Sequence, residues 1–216
     1  AQAIGADYTF SDGRKQKAGT IGTIGCTSFF PSKNLGCMGD GGALFTNDDT
    51  LAKKIRMIAN HGQSVQYVHD EIGVNSRLDS IQAAILRVKL KHLDSYAAAR
   101  QKAAAYYDKA FNGNSKITTP ERSKNSTHVF HQYTLVLNGV NRDELRQYLA
   151  EKEIPAMIYY PIPLHMQKAY KDERYKEGQF PVTEKLCANV LSLPMHTELD
   201  EEQLEYITRA VLEFCK

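Results

Sequence analysis

The 216-residue chain is 42% hydrophobic and 24% charged, with 14 Gly, 7 Pro, 4 Cys and no Trp, a composition and length that support a packed core without disulfides or metals. Its 27 basic and 25 acidic residues leave a formal charge of +2 and are mixed along the chain, without the segregated basic stripe of a nucleic-acid binder. No apolar run approaches the roughly 20 residues of a membrane helix, so neither nucleic acid nor membrane is an expected partner.

Cys26, Cys37, Cys187 and Cys215 show no CxxC and no Cys/His ligand spacing, so no metal site is expected and a reducing, cytoplasmic setting fits. The opening residues AQAIGADY lack an initiator Met, a charged leader and an apolar leader core. The expectation is neither a signal peptide nor a natural start, with a segment missing upstream.

In chain order, the segment to about Thr20 is Gly-rich and polar, and Ile24–Phe30 reads as a strand buried on both faces, ended by Pro31. A short strand follows at Ala43–Thr46. The stretch NDDTLAKKIRMIANHG opens on acidic caps and ends on Gly62, with Leu51, Ile55, Ile58 and Ala59 at helical spacing, so a helix lying on a sheet is expected. From Leu78 to Phe111 apolar residues recur at three-to-four spacing with almost no Gly or Pro, which predicts one long helix or two nearly continuous ones. FNGNSKITTPERSKNST is then polar and turn-rich, placing a domain boundary near Gly113, between residues 1–113 and 114–216. Beyond it the pattern predicts an alternating strand in VFHQYTLVLN, a helix Arg142–Glu153, a strand Ala156–Tyr160, a helix from about Val182, the strand VLSLP and a terminal amphipathic helix from Asp200. This second part reads as an α+β layer.

The most informative stretch is SFFPSKNLGCMGDGGA. Lys33 follows an apolar strand and sits in a turn, where partial loss of water makes an amine nucleophilic. A solvated turn lysine is the ordinary alternative. The glycines at 36, 39, 41 and 42 do not form a phosphate loop of the GK[ST] kind, because the Lys precedes them. They supply a tight turn that lets backbone approach a ligand.

FFPSKN, GDGGA, NHG, GVNSRLD, YYPIPLH, FPVTEKL and LSLPMH, in this order along nearly the whole chain, resemble the DegT/DnrJ/EryC1/StrS sugar aminotransferases. The resemblance implies an α/β fold: the C-terminal part of a fold-type-I pyridoxal-phosphate (PLP) aminotransferase large domain with its long interdomain helix, followed by a small α+β domain. It implies pyridoxal 5'-phosphate as cofactor and, as partners, a nucleotide-diphosphate keto-sugar, glutamate as amino donor, and a second copy of the chain in a homodimer with shared active sites. FFPSKNLGCMGDGG is most similar to members acting on UDP-linked hexuluronates, and surface polysaccharide synthesis is the implied setting.

Residue by residue, the resemblance makes Lys33 the Schiff-base and proton-shuttling lysine, and Ser28 a hydroxyl on the cofactor phosphate. It places Gln2, in the family's D-x-A-Q motif, beside the cofactor ring, with the motif's acidic residue falling before residue 1. Asn75 and Arg77 correspond to residues sent across a dimer interface, Asn75 to the partner's cofactor phosphate and Arg77 to substrate; capping and solvating their own helix is the local alternative. Tyr160 and His165 correspond to the edge that closes over the sugar. His61, in NHG, matches a family position without an assigned chemistry. TFSDGRKQK is a few residues longer than the family pattern and reads as a loop insertion. Two other readings stand beside the aminotransferase: a sugar dehydratase of the same fold, whose members carry His at the lysine position, against which Lys33 argues, and an inactive fragment serving only as a folded or dimerisation body.

Overall fold

A computed structural model describes residues 1–216. The chain divides into two compact units, Ala1–Ala98 with Ser123–His131, and Ala99–Arg122 with Gln132–Lys216. The division falls within a helix rather than at Gly113, because the polar stretch after that glycine does not act as a linker. Its second half returns to the first unit, where Thr127 N donates to Asp7 O (2.9 Å), Thr9 N to Asn125 O (2.7 Å), and Tyr8 bridges Ser126.

In the first unit β1 (Asp7–Thr9) and β2 (Lys15–Lys17) form an antiparallel hairpin. The segment expected as a loop insertion therefore carries structure: Gly13, at φ 84°, follows Asp12 at the tip, and Phe10 N donates to Arg14 O (2.9 Å). β3 (Gly25–Ser28) pairs antiparallel with β4 (Gly42–Phe45) in a two-stranded sheet. The expectation of burial on both faces fails for β3. Within this chain it has one strand neighbour, and Ile24, Cys26 and Phe30 are exposed while Gly25 and Phe29 are buried. α1 (Asp49–Ala59) is capped by Asp48, whose carboxylate accepts from Thr50 N (2.8 Å) and Leu51 N (3.0 Å). Its apolar stripe is only half-buried. A hairpin of β5 (Gln63–Val65) and β6 (Val68–His69) follows.

The long helical pattern resolves into α2 (Ser80–Lys89), a 3-10 turn Leu90–His92, and α3 (Leu93–Phe111), the nearly continuous pair expected. The core of the first unit is Phe29, Leu35, Cys37, Leu86 and Leu93, with Ile4 and Ala43 packed against it.

In the second unit β7 (Ile117–Thr118), β8 (Tyr133–Leu137), and β9 (Val190–Leu193) form an antiparallel sheet. β8 alternates buried and half-buried residues as its sequence predicts, and β9 is buried throughout. The buried Ser192 hydroxyl is satisfied by Thr134 Oγ1 directly across the register (2.8 Å). α4 (Arg142–Glu151) packs against β9 and against α6 (Glu201–Phe214), and α5 (Pro181–Asn189) packs against β8. Asp200 and Gln203 close a reciprocal capping box on α6. The strand expected at Ala156–Tyr160 is reduced to one bridge on the outer edge of β9, where Met157 N donates to Ser192 O (3.0 Å) and Ser192 N to Met157 O (2.7 Å). No helix is long and apolar enough to cross a membrane.

Candidate active site

The segment after β3 is folded back on itself by backbone bonds. Lys33 N donates to Phe30 O, Cys37 N to Phe29 O, and Phe29 N to Gly41 O, each at 2.8 Å. The Cys37 thiol is buried and donates to this same turn, with Phe29 O and Gly39 O both 2.9 Å from Sγ. Gly36 has no room for a side chain: a Cβ there would lie 2.3 Å from Pro31 O. α2 holds the other side, with Lys89 Nζ donating to Gly36 O (2.5 Å) and Gln82 Oε1 accepting from Met38 N (2.8 Å). Lys33 is half-buried at the tip of this braced turn.

A cleft of about 880 Å³ opens here, and its lining includes Thr27, Ser28, Lys33, Asp40, Asn75 and Arg77. Four of the residues singled out in the sequence thus meet on one cavity. The helix-capping alternative for Asn75 does not hold: α2 begins five residues later, at Ser80, with Asp79 in the cap position. Asn75 Oδ1 instead accepts from Arg77 Nε (3.1 Å), and both side chains are exposed. Their backbone is set by the end of α1, where Val74 N donates to Ile58 O (2.8 Å) and Ser76 N to Ala59 O (2.9 Å). Gly62, buried beside this segment at φ 75°, is required because a Cβ would meet Glu71 O at 1.7 Å. His61, at φ 59°, donates its amide to Val74 O (3.0 Å). Its backbone thus helps place the Asn75 segment.

Gln2 is exposed and does not line the cleft. It follows Ala1, whose amino group donates to Cys26 O (3.4 Å), so the start of the chain runs beside β3. Tyr160 and His165 belong to the second unit. Tyr160 is exposed and edge-on to Tyr159, with ring centroids 5.5 Å apart. His165 is mostly buried, and its Nε2 lies 3.0 Å from Glu184 Oε1.

The sequence reading passed over Thr27 and Asp40 on the cleft, and over Gln82, Lys89 and Glu184, which brace or orient other groups. A one-residue alternation from Ser28 hides Thr27, and side chains reaching in from α2 leave no local pattern.

The cleft suits an anionic, aldehyde-bearing ring such as pyridoxal phosphate on three observations. Ser28 offers a hydroxyl and Lys33 an amine within it. Thr27 Oγ1 is buried without a hydrogen-bond partner. Gly41 and Gly42 keep its wall clear, since a Cβ would come within 3.0 Å of Leu78 Cδ1 or 2.8 Å of Thr27 O respectively.

The chain belongs to the DegT/DnrJ/EryC1/StrS aminotransferase family, whose model matches residues 1–212. Over 218 residues it is 47% identical to a pleiotropic regulatory protein of Geobacillus stearothermophilus, covering 100% of this chain and 57% of that protein. It is 45% identical to the UDP-2-acetamido-2-deoxy-3-oxo-D-glucuronate aminotransferase of Pseudomonas aeruginosa, across 98% of this chain and 56% of the relative. The crystal structure of S. venezuelae DesV in complex with a ketimine intermediate superposes with a TM-score of 0.92 at 40% identity, covering 100% of this chain and 56% of that one. The chain thus spans a little over half the length of these relatives.

Proposed function

We propose that the full-length protein is a pyridoxal-phosphate-dependent aminotransferase that moves an amino group to the keto group of a nucleotide-diphosphate sugar. The observation that carries this reading is Lys33, held half-buried at the tip of a braced turn, and Ser28 facing one cleft. Family membership and the name of the relative at 45% identity, a UDP-2-acetamido-2-deoxy-3-oxo-D-glucuronate aminotransferase, support the nucleotide-sugar class. Glutamate as donor and surface polysaccharide synthesis as setting follow from the resemblance.

The cofactor supplies an electron sink for the charge left when a C–H bond beside nitrogen is broken. Lys33 Nζ would hold the cofactor aldehyde when it is bound, and as a free amine it would carry a proton between the two carbons that flank the transferred nitrogen, as base toward one and acid toward the other. Ser28 Oγ would hold the phosphate, together with an Asn75 carboxamide reaching in from a second copy. The family motif would put Gln2 near the ring, although it stands off the cleft lining, and the Arg77 guanidinium would pair with substrate carboxylate or diphosphate, for which its planar fork is suited. For Tyr160 and His165 a sugar contact rests on the family resemblance alone.

Asn75 and Arg77 are further proposed to serve a second copy's site. They are exposed beside Ile72, Val74 and Ile81, which are 97%, 56% and 74% exposed, an apolar surface that a two-fold partner would cover.

The test is an absorbance spectrum of the full-length protein with pyridoxal phosphate. Glutamate should convert the visible band to the amine form, and a UDP-linked 3-keto-hexuluronate should restore it. A band unmoved by any amino donor would overturn the reading.

A further inference from the structure

Asn34 follows Lys33 directly and is 7% exposed. Its Nδ2 donates to the Val129 carbonyl (2.9 Å), 95 residues away in sequence, while its Oδ1 is buried with no hydrogen-bond partner. Val129 lies in the strap Ser123–His131 that returns to the first unit and runs along β1. The next residue, Phe130, is 1% exposed and sits at φ 42°. A bulky side chain rarely occupies that left-handed region. This φ, with ψ of Val129, fixes the plane of the peptide whose carbonyl receives Asn34.

Two unfavourable features therefore meet at one contact. A buried carboxamide with an unpaired oxygen carries the desolvation cost of an unmade hydrogen bond, which a leucine of the same branched shape would not. A strained backbone aims the acceptor. Such features persist where the surrounding structure needs the geometry they hold, and here that geometry is the Lys33 turn. Its other ties are either local, Lys33 N to Phe30 O and Cys37 N to Phe29 O, or reach from α2 only to Gly36 and Met38, three and five residues beyond Lys33.

We propose that Asn34 is a positioning residue for Lys33: its carboxamide latches the Lys33 turn to the Val129 carbonyl, which the left-handed backbone of Phe130 aims. The inference deepens the proposed function and rests on Lys33 being the cofactor-bearing amine, although the latch itself is readable without cofactor. A lysine on a long flexible stem reaches its reacting carbons reproducibly only if its Cα is fixed, and small misplacements of a catalytic group are costly in rate.

The experiment compares the full-length protein with its Asn34→Leu variant by thermal unfolding, by amide hydrogen exchange without cofactor, and by the rate at which added pyridoxal phosphate yields the visible band. The expected result is an unchanged or higher Tm, faster exchange in residues 30–37 and 123–130 together, and cofactor capture slowed on the order of tenfold to a hundredfold. Unchanged exchange with capture at the parent rate would overturn the proposal, and so would a lower Tm with exchange and capture unaltered, the mark of a merely structural residue. Should Asn34→Leu fail to fold, the unsubstituted protein still decides: the amides of Lys33, Cys37 and Thr127 should share one opening free energy, and separate openings would contradict the latch. A Lys33→Ala control keeps the two readings apart. If it develops the same band, the assignment of Lys33 fails, while exchange continues to test the latch.

Discussion

Glu184 Oε1 lies 3.0 Å from His165 Nε2, and the same carboxylate accepts from the backbone amides of Gly178 (3.0 and 2.9 Å to its two oxygens) and Phe180 (3.2 Å). Because an ionised carboxylate only accepts, the imidazole must donate from Nε2, which leaves Nδ1 as the nitrogen available to other groups. The Phe180 ring packs on the imidazole, with centroids 4.8 Å apart. His165, read from sequence as a sugar-facing residue, is thus also the pin of the segment leading into α5.

Glu184 gives the first prediction. Desolvation pushes its carboxyl up, but hydrogen bonds from Gly178, Phe180 and His165 outweigh this and hold it below the ordinary value of 4.5. A depressed carboxyl stabilises above its unfolded pKa and loses that contribution as pH falls through the lower folded value. Hydrogen exchange in residues 163–184 should therefore be flat from pH 7 to 5 after correction for intrinsic rates, and rise below about 4.5. Glu184→Gln should remove that step and lower Tm by a few degrees.

A second prediction concerns Tyr107 and Tyr133, both fully buried in the second unit. Burial raises both phenols above the ordinary value of 10.0, and Tyr133 is raised further by its 2.6 Å bond to Asp108 Oδ1. A raised phenol stabilises below the unfolded pKa and loses this as pH climbs toward the folded one. Ultraviolet titration should show most tyrosines ionising near pH 10, with a late group appearing only as the chain unfolds. Tyr133→Phe should cost about 1.5–3 kcal/mol in urea unfolding, as expected for a buried bond to a charged acceptor.

Glycine positions yield a graded pair. Gly36→Ala drives a Cβ to 2.3 Å from Pro31 O, against backbone that cannot swing away, and should cost about 3 kcal/mol or more. Gly13→Ala meets nothing within 4 Å and carries only its φ of 84°, for a cost of about 1–2 kcal/mol. Chemical unfolding of the two variants checks the order.

Subunit mixing tests whether Asn75 and Arg77 serve a partner. Lys33→Ala and Arg77→Ala proteins, each inactive, should form hybrids in which one site has both residues, restoring up to about half of parental activity per hybrid dimer by two-site symmetry. No recovery despite proven exchange would assign Lys33 and Arg77 to one chain's cleft, whose lining they already share.

Much of this architecture was legible wherever a local signal coincided with burial in this chain. Asp48 and Asp200 announced their helices, and the alternation of Tyr133–Leu137 announced β8. The Asp12–Gly13 hairpin is readable by its turn chemistry, although its extra length against the family pattern points to a loop insertion. Ile24–Phe30 misled because β-branched and aromatic residues report strand propensity, whereas two-sided burial depends on what covers the strand. At the site, Lys33 and Ser28 follow one another on a strand and turn and could be read together. Asn34 could not: its partner carbonyl lies 95 residues on, and a carboxamide after lysine looks like ordinary turn chemistry.

The most direct test of the account is chemical trapping of the cofactor. Full-length protein loaded with pyridoxal phosphate, reduced with borohydride and digested, should carry one pyridoxyl group per chain on the peptide containing Lys33, and none on Lys89 or the other lysines. A stoichiometric adduct on any other lysine would contradict the assignment of Lys33 on which the proposed chemistry stands.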